Sequence, residues 1–235
     1  MNDRNGPLLY LFDIDGTLLH AHGSGKSSFD IVFHAHHGVT NASEGVRYGG
    51  KTDAAIIDEL YSARLGRAAT TDEQAAFIAA YLPLLSAHLD AHGVEVIAGV
   101  AEALEFLSAQ PDVVLGIATG NVEAGAAAKL AAARLHDRFV LGGYGSDSRH
   151  RAELVAAGIE RGRKQQDFRE VIVVGDTIHD IAAARACNAI ACAVTTGSDS
   201  ADALAHADVV FASLHELPAW HLARFGTKIA TTGLA

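Results

Sequence analysis

The stretch Leu8-Leu9-Tyr10-Leu11-Phe12-Asp13-Ile14-Asp15-Gly16-Thr17 decides the fold. Five apolar residues in a row read as a strand buried on both faces, which belongs in a parallel sheet covered by helices. The run ends abruptly in carboxylates. Asp13 and Asp15 lie two apart, so extended-chain geometry points both to the same side, and Gly16 lets the backbone turn away. Two neighbouring carboxylates can divide labour, one ionised as nucleophile or metal ligand, the other protonated as general acid. Asp and Gly are also ordinary turn formers, and it is the position directly after a buried strand that favours chemistry.

Two more apolar runs end the same way. Val113–Ala118 leads into Thr119-Gly120-Asn121, and Val171–Val174 leads into Gly175-Asp176-Thr177-Ile178-His179-Asp180. Helical patterns follow over Glu123–Leu135 and Asp180–Cys187. The alternation predicts an α/β fold, a doubly wound, Rossmann-like parallel sheet whose ligand crevice lies at the carboxyl ends of the strands. Ile190–Val194 and Asp208–Phe211 predict further strands, and Phe139–Leu141 a weaker one. The segment between the first two strands is far longer than a crossover helix needs. It reads as helices over Ser27–His36, Asp53–Leu65 and Thr71–Ala91, the last interrupted at Pro83. The expected organisation is a core of residues 1–19 and 96–235 with an inserted helical cap over residues 20–95.

Composition narrows the function. Alanine supplies 45 residues and the aromatics only 15, which favours tightly packed helices over a β-sandwich. The net charge is −10 and the one short basic cluster is Arg161-Gly162-Arg163-Lys164, so nucleic acid is not an expected partner. Mean hydropathy is +0.17, yet no apolar run reaches the roughly 18–20 residues of a spanning helix, and the first residues do not resemble a signal peptide. Cys187 and Cys192 read as buried thiols. The expectations are a cytoplasmic protein without a membrane partner; oligomeric state is not legible.

Asp176 and Asp180 form a second carboxylate pair. If Asp176 approaches Asp13 across the sheet, the cluster suits a hard divalent cation, which would let an anionic Asp13 approach phosphorus. Asp180 also suits a helix N-terminus on dipole grounds alone. Thr119-Gly120-Asn121 offers a hydroxyl, an unhindered amide and a helix cap, a cradle for a phosphoryl group.

Together these residues resemble the haloacid dehalogenase-like superfamily, in its phosphatase branch similar to phosphoglycolate phosphatases. The matching pieces are Phe12-Asp13-Ile14-Asp15-Gly16-Thr17-Leu18-Leu19, Ala118-Thr119-Gly120-Asn121 and the stretch from Val173 to Ala186. The resemblance implies Asp13 as phosphoryl-accepting nucleophile and Asp15 as general acid, then base. It implies Mg²⁺ held by Asp13, the Asp15 backbone carbonyl and Asp176, supported by Asp180, with Thr119 on the phosphoryl group. It makes residues 20–95 the cap, with Gly50-Lys51-Thr52-Asp53 similar to a substrate-facing loop. Gly16, Gly120, Asn121, Lys51, Thr52 and Arg149 are the expected substrate-binding residues. One departure stands out: the family's lysine before the fourth motif is missing. Arg151, at the start of an apparent helix, is the expected replacement, with Arg149 second and Lys164 assigned to a solvated turn. An arginine there can neutralise phosphoryl oxygens bidentately.

The expected reaction is Mg²⁺-dependent hydrolysis of a small, phosphoglycolate-like phosphomonoester through an aspartyl phosphate, the partner being a small phosphorylated metabolite. Lys51 and Arg47 are candidates to meet a substrate carboxylate. A phosphosugar mutase of the β-phosphoglucomutase type and a non-catalytic regulatory or binding protein are the alternatives. Gly23-Ser24-Gly25-Lys26-Ser27 imitates a nucleotide P-loop but has His20 where the first glycine belongs, and no strand directly precedes it. His20, His22, His34, His36 and His37 match no standard zinc spacing. His179 is expected to supply a supporting hydrogen bond.

Overall fold

A computed structural model describes residues 6–226. Its elements run β1 Leu8–Phe12, β2 Leu19–His20, α1 Ser24–His37, α2 Asp53–Leu65, α3 Thr71–His92, β3 Glu95–Val96, α4 Val100–Ser108, β4 Val113–Thr119 and α5 Glu123–Ala132. The second half continues with β5 Leu141–Tyr144, α6 Arg151–Arg163, β6 Glu170–Gly175, α7 Ile178–Ala186, β7 Ile190–Val194, α8 Ala201–Leu204, β8 Val209–Phe211 and α9 Leu217–Phe225. Six strands form one sheet in the order β5-β4-β1-β6-β7-β8, every pair parallel. This is the doubly wound α/β core that the apolar runs predict.

All five residues of β1 are buried, and period two divides them between two cores. Leu8, Tyr10 and Phe12 join the larger cluster, which extends into α1–α4; Leu9 and Leu11 pack with α6 and α7. The central strand therefore has no polar face, which is why its sequence shows no alternation. The strand order reverses at β1, between β4 and β6, and Asp13, Thr119 and Asp176 stand at the carboxyl ends of those three strands.

Helices α1–α3 lie between β2 and β3, a short antiparallel pair with Leu19 opposite Val96. Edge-to-face rings hold them together: Phe29 meets Phe77 at 5.0 Å and Tyr81 at 4.7 Å. The α3 start carries the capping box Thr70/Glu73. Pro83 does not interrupt this helix, contrary to expectation. Pro83 is exposed, while Phe77, Tyr81, Leu85 and Leu89 make a buried stripe at four-residue spacing, so the lost backbone bond costs less than breaking the stripe would.

The strand expected at Phe139–Leu141 lies instead at Leu141–Tyr144, and Val140 is exposed. Its Gly142-Gly143 centre conceals it, because glycine has low strand propensity. The glycine is needed because α6 packs there: a β-carbon on Gly143 would fall 1.8 Å from the Leu154 carbonyl oxygen. Gly143→Ala should therefore destabilise the fold by about 1–3 kcal/mol through overpacking, read as a lower urea midpoint at unchanged slope. A midpoint equal to that of the native chain would show that α6 is not seated on β5 as described.

Candidate active site

Asp13 is buried, anchored by its own amide to the Val174 carbonyl at 2.9 Å. Gly16 is left-handed at φ 82, and a β-carbon there would stand 2.7 Å from the Asp176 carboxylate. Gly16, an expected substrate contact, makes the turn after β1 and is not among the residues that border the cavity. Asp176 accepts hydrogen bonds from Thr17 Oγ1 at 3.2 Å and the Ser198 amide at 3.0 Å. Asp180 caps its own helix, accepting from the Thr177 amide and hydroxyl at 3.0 and 2.7 Å.

Oxygens of Asp13, Asp176 and Asp180 lie within 4.8 Å of one another, and all three residues are buried. The compensating cation is Arg151, the first residue of α6. Its Nη2 lies 2.7 Å from Asp13 Oδ2 and 2.6 Å from Asp180 Oδ1, while Nη1 donates to the Gly50 carbonyl at 3.2 Å. Of the cations considered for the missing lysine, Arg151 is the one at the nucleophile. Arg149, expected on substrate, instead is exposed and pairs with Asp58; it follows a loop that turns it outward. Lys164 is exposed and lies 3.5 Å from Glu160.

One guanidinium against three buried carboxylates leaves negative charge uncompensated. Desolvation, with repulsion from Asp180 and Asp15, pushes Asp13 up to about 6 despite Arg151. Desolvation together with Asp13 and Asp180 pushes Asp176 up to about 8. A concentrated set of hard oxygen donors of this kind fits a divalent cation.

The Asp15 carboxylate points elsewhere, so any metal contact from this residue would come from its backbone. Lys129 Nζ lies 2.6 and 2.8 Å from its two oxygens and 2.7 Å from Asn121 Oδ1, while Asn121 Nδ2 donates to Asp15 at 2.8 Å. Burial alone would raise Asp15, but Lys129 and Asn121 outweigh it and hold the carboxyl below the usual range. Asn121 Nδ2 also reaches Thr119 Oγ1 at 2.8 Å, so Asn121 orients the catalytic candidates around it. Lys129 is the residue that the motifs did not point to. Its signal is a lone cation on the Gly125, Ala126, Leu130 face of α5, where a charge needs a partner.

A cavity of about 380 Å³ joins these groups to the helical insertion, lined by Asp13, Asp15, Thr119 and Arg151 on one side and by Lys26, Tyr48 and Tyr81 on the other. Gly120 and Asn121 border it. Lys51 borders it too, but its ammonium is paired with Glu59. Thr52, also expected on substrate, is not among the residues that border it; its hydroxyl caps α2 at the Ala55 amide and donates to the Arg149 carbonyl. Arg47 is paired with Asp199 at 3.3 Å. His179 is exposed and packs on Gly50, and among the described residues it makes no hydrogen bond. The insertion is tied to the core here, through the Asp53 amide on the Gly120 carbonyl at 2.9 Å and the Val122 amide on the Asp53 carboxylate at 2.8 Å.

The profile of the haloacid dehalogenase-like hydrolases matches residues 10–194, and the chain belongs to that family. Among curated proteins none matches it by sequence. Similar solved structures include proteins provisionally described as a β-phosphoglucomutase from Bacteroides vulgatus and a phosphoglycolate phosphatase from Lactobacillus plantarum. The first has a TM-score of 0.71 at 18% identity, covering 95% of this chain and 91% of its own. The second has a TM-score of 0.65 at 18% identity, covering 90% and 98%. CbbY from Rhodobacter sphaeroides, solved in complex with phosphate, has a TM-score of 0.68 at 16% identity, covering 89% and 95%. At these identities the likeness shows the shared fold. No helix among the described residues is long and apolar enough to cross a membrane.

The carboxylate cluster predicts a metal-linked pH dependence. Asp13 and Asp176 both titrate above the ordinary 3.8, so the metal-free folded chain holds their protons more tightly than the unfolded chain does. Their stabilising contribution is full below pH 3.8 and is lost as pH rises through about 6 and about 8. Because a cation needs both groups deprotonated, Mg²⁺ should raise the melting temperature more at pH 8.5 than at pH 6. A melting temperature indifferent to Mg²⁺ and EDTA at both values would contradict the fit.

Proposed function

We propose that this chain is a Mg²⁺-dependent phosphatase that hydrolyses a small phosphomonoester through a phosphoryl group carried on Asp13. The observation that supports the reading best is the clamped nucleophile: a buried carboxylate 2.7 Å from Arg151 Nη2, open to a cavity it shares with Asp15 and Thr119. Asp13, the Asp15 backbone carbonyl and Asp176 would hold the cation, with Asp180 behind them. When bound, the metal supplies the positive charge that offsets the meeting of two anions.

The chain's own residues do the rest. Arg151 draws Asp13 into line and offers guanidinium hydrogens to phosphoryl oxygens, and the Thr119 hydroxyl contributes another donor. Asp13 attacks phosphorus, forming an acyl phosphate as the ester P–O bond breaks. Asp15 protonates the departing alcohol and then takes a proton from the water that releases phosphate. Lys129 holds resting Asp15 ionised, the form needed for that second half. An arriving phosphate dianion raises its affinity for the proton the first half needs. Asn121 and Lys129 keep the carboxylate aimed into the cavity. Residues 20–95 act as a cap that closes over the cavity, and the enzyme works in the cytoplasm on a small phosphorylated metabolite rather than on nucleic acid or at a membrane.

Phosphate release from a panel of phosphomonoesters should require Mg²⁺, cease with EDTA, and fall by at least about 10³-fold in Asp13→Asn. Undiminished activity in Asp13→Asn would refute the nucleophile. An isomeric phosphate ester appearing in place of free phosphate would identify a mutase, and no turnover on any ester would favour a binding role.

A further inference from the structure

The Gly23-Ser24-Gly25-Lys26-Ser27 stretch is not a P-loop, yet it opens α1 directly onto the cavity: Gly23, Ser24, Gly25 and Lys26 all border it. Gly23 is the N-cap, left-handed at φ 76, and no side chain caps the helix. The amides of Gly25 and Lys26 belong to the first turn, which a 14-residue helix leaves without intrahelical acceptors. Such an end attracts anions.

Two independent features converge on the same spot. Four cationic side chains line the cavity, and three are already neutralised: Arg151 by Asp13 and Asp180, Lys129 by Asp15, Lys51 by Glu59. Lys26 is exposed and has no ion pair among the described residues. Second, Tyr81 is only 1% exposed, borders the cavity, and its hydroxyl has no hydrogen-bond partner among the described residues. That hydroxyl lies 3.7 Å from where a β-carbon on Gly25 would stand. Bordering the cavity without a protein partner, that hydroxyl is free to donate to a ligand there.

We infer that Gly25, Lys26 and Tyr81 form a second anion subsite, so that the preferred substrate carries a carboxylate or a second phosphate besides the phosphoryl group that is transferred. The inference rests on the phosphatase reading and deepens it. It moves charge recognition away from Lys51 and Arg47, both of which are engaged. The glycine at position 25 matters because its missing side chain leaves room between the helix end and the tyrosine. Phe29, packed on Tyr81 at 4.7 Å, holds the ring in place.

Three matched esters on one three-carbon chain test this: propyl phosphate, phosphorylated 3-hydroxypropanoate, and propane-1,3-diol bisphosphate. Calorimetric titration in Mg²⁺ with Asp13→Asn protein measures affinity without turnover. Introducing Lys26→Gln into that protein should lower the affinity ratio of an anionic ester to propyl phosphate about tenfold, as for loss of one charge-assisted contact. Tyr81→Phe should lower the same ratio by a smaller factor. Whichever anionic ester loses more identifies the second group as carboxylate or phosphate. An unchanged ratio in both variants, or failure of the Asp13→Asn protein to bind any of the three, overturns the subsite. Failure of the phosphatase reading shows separately, as no phosphate release from any ester by the native chain while the ratio still falls.

Discussion

Arg151 lies between Asp13 and Asp180, and the rest of the site depends on that contact. A guanidinium with only 8% of its side chain exposed is costly to desolvate, and the two carboxylates are equally costly without it. Together they make a tolerable arrangement that neither partner could sustain alone. Placing it requires three separate pieces of chain to meet: the end of β1, the start of α6 and the start of α7. The sheet register brings Asp13 beside Asp176, Gly143 of β5 lets α6 approach, and the Thr177 cap fixes Asp180.

The clamp also reaches the helical insertion. Arg151 Nη1 donates to the Gly50 carbonyl, and a β-carbon on Gly120 would fall 2.1 Å from the Lys51 carbonyl oxygen. Backbone from the insertion is therefore packed against backbone of the core at the edge of the cavity. A second buried cation, Lys129, organises the other carboxylate with Asn121 as a shared partner. The two aspartates of one short motif are thus held in different electrostatic settings. Desolvation and neighbouring carboxylates raise Asp13; Lys129 and Asn121 hold Asp15 low. Different roles for two carboxylates require this kind of separation.

The core was legible because parallel strands buried on both faces write themselves as continuous apolar runs. β1 and β7 match their runs residue for residue, the polar clusters after β1 and β4 border one cavity, and Asp176 and Asp180 lie beside Asp13. Three features were not legible, each for a physical reason. Gly142-Gly143 hides β5 because Gly143 answers to the approach of α6, and Gly142 to the Tyr144 ring, rather than to strand propensity. Pro83 looks like a helix break because local rules cannot see the stripe that carries α3 through it. Lys129 sits in no motif, since its partner Asp15 lies 114 residues earlier and only the fold joins them. The choice of Arg151 over Arg149 needed the helix start: two residues decide whether the guanidinium meets Asp13 or turns outward to Asp58.

The central claim is that Arg151 replaces the family's lysine as the cation binding nucleophile and phosphoryl group together. Its most direct measurement is kcat/KM for Mg²⁺-dependent phosphate-ester hydrolysis in Arg151→Met, beside Arg151→Lys, with folding checked by circular dichroism. Arg151→Met should lose about 10²-fold or more, comparable to removing a donor to transition-state charge, and Arg151→Lys should recover part of that loss. A folded Arg151→Met protein within about threefold of the native rate, a change of less than 0.7 kcal/mol in transition-state stabilisation, would contradict the account.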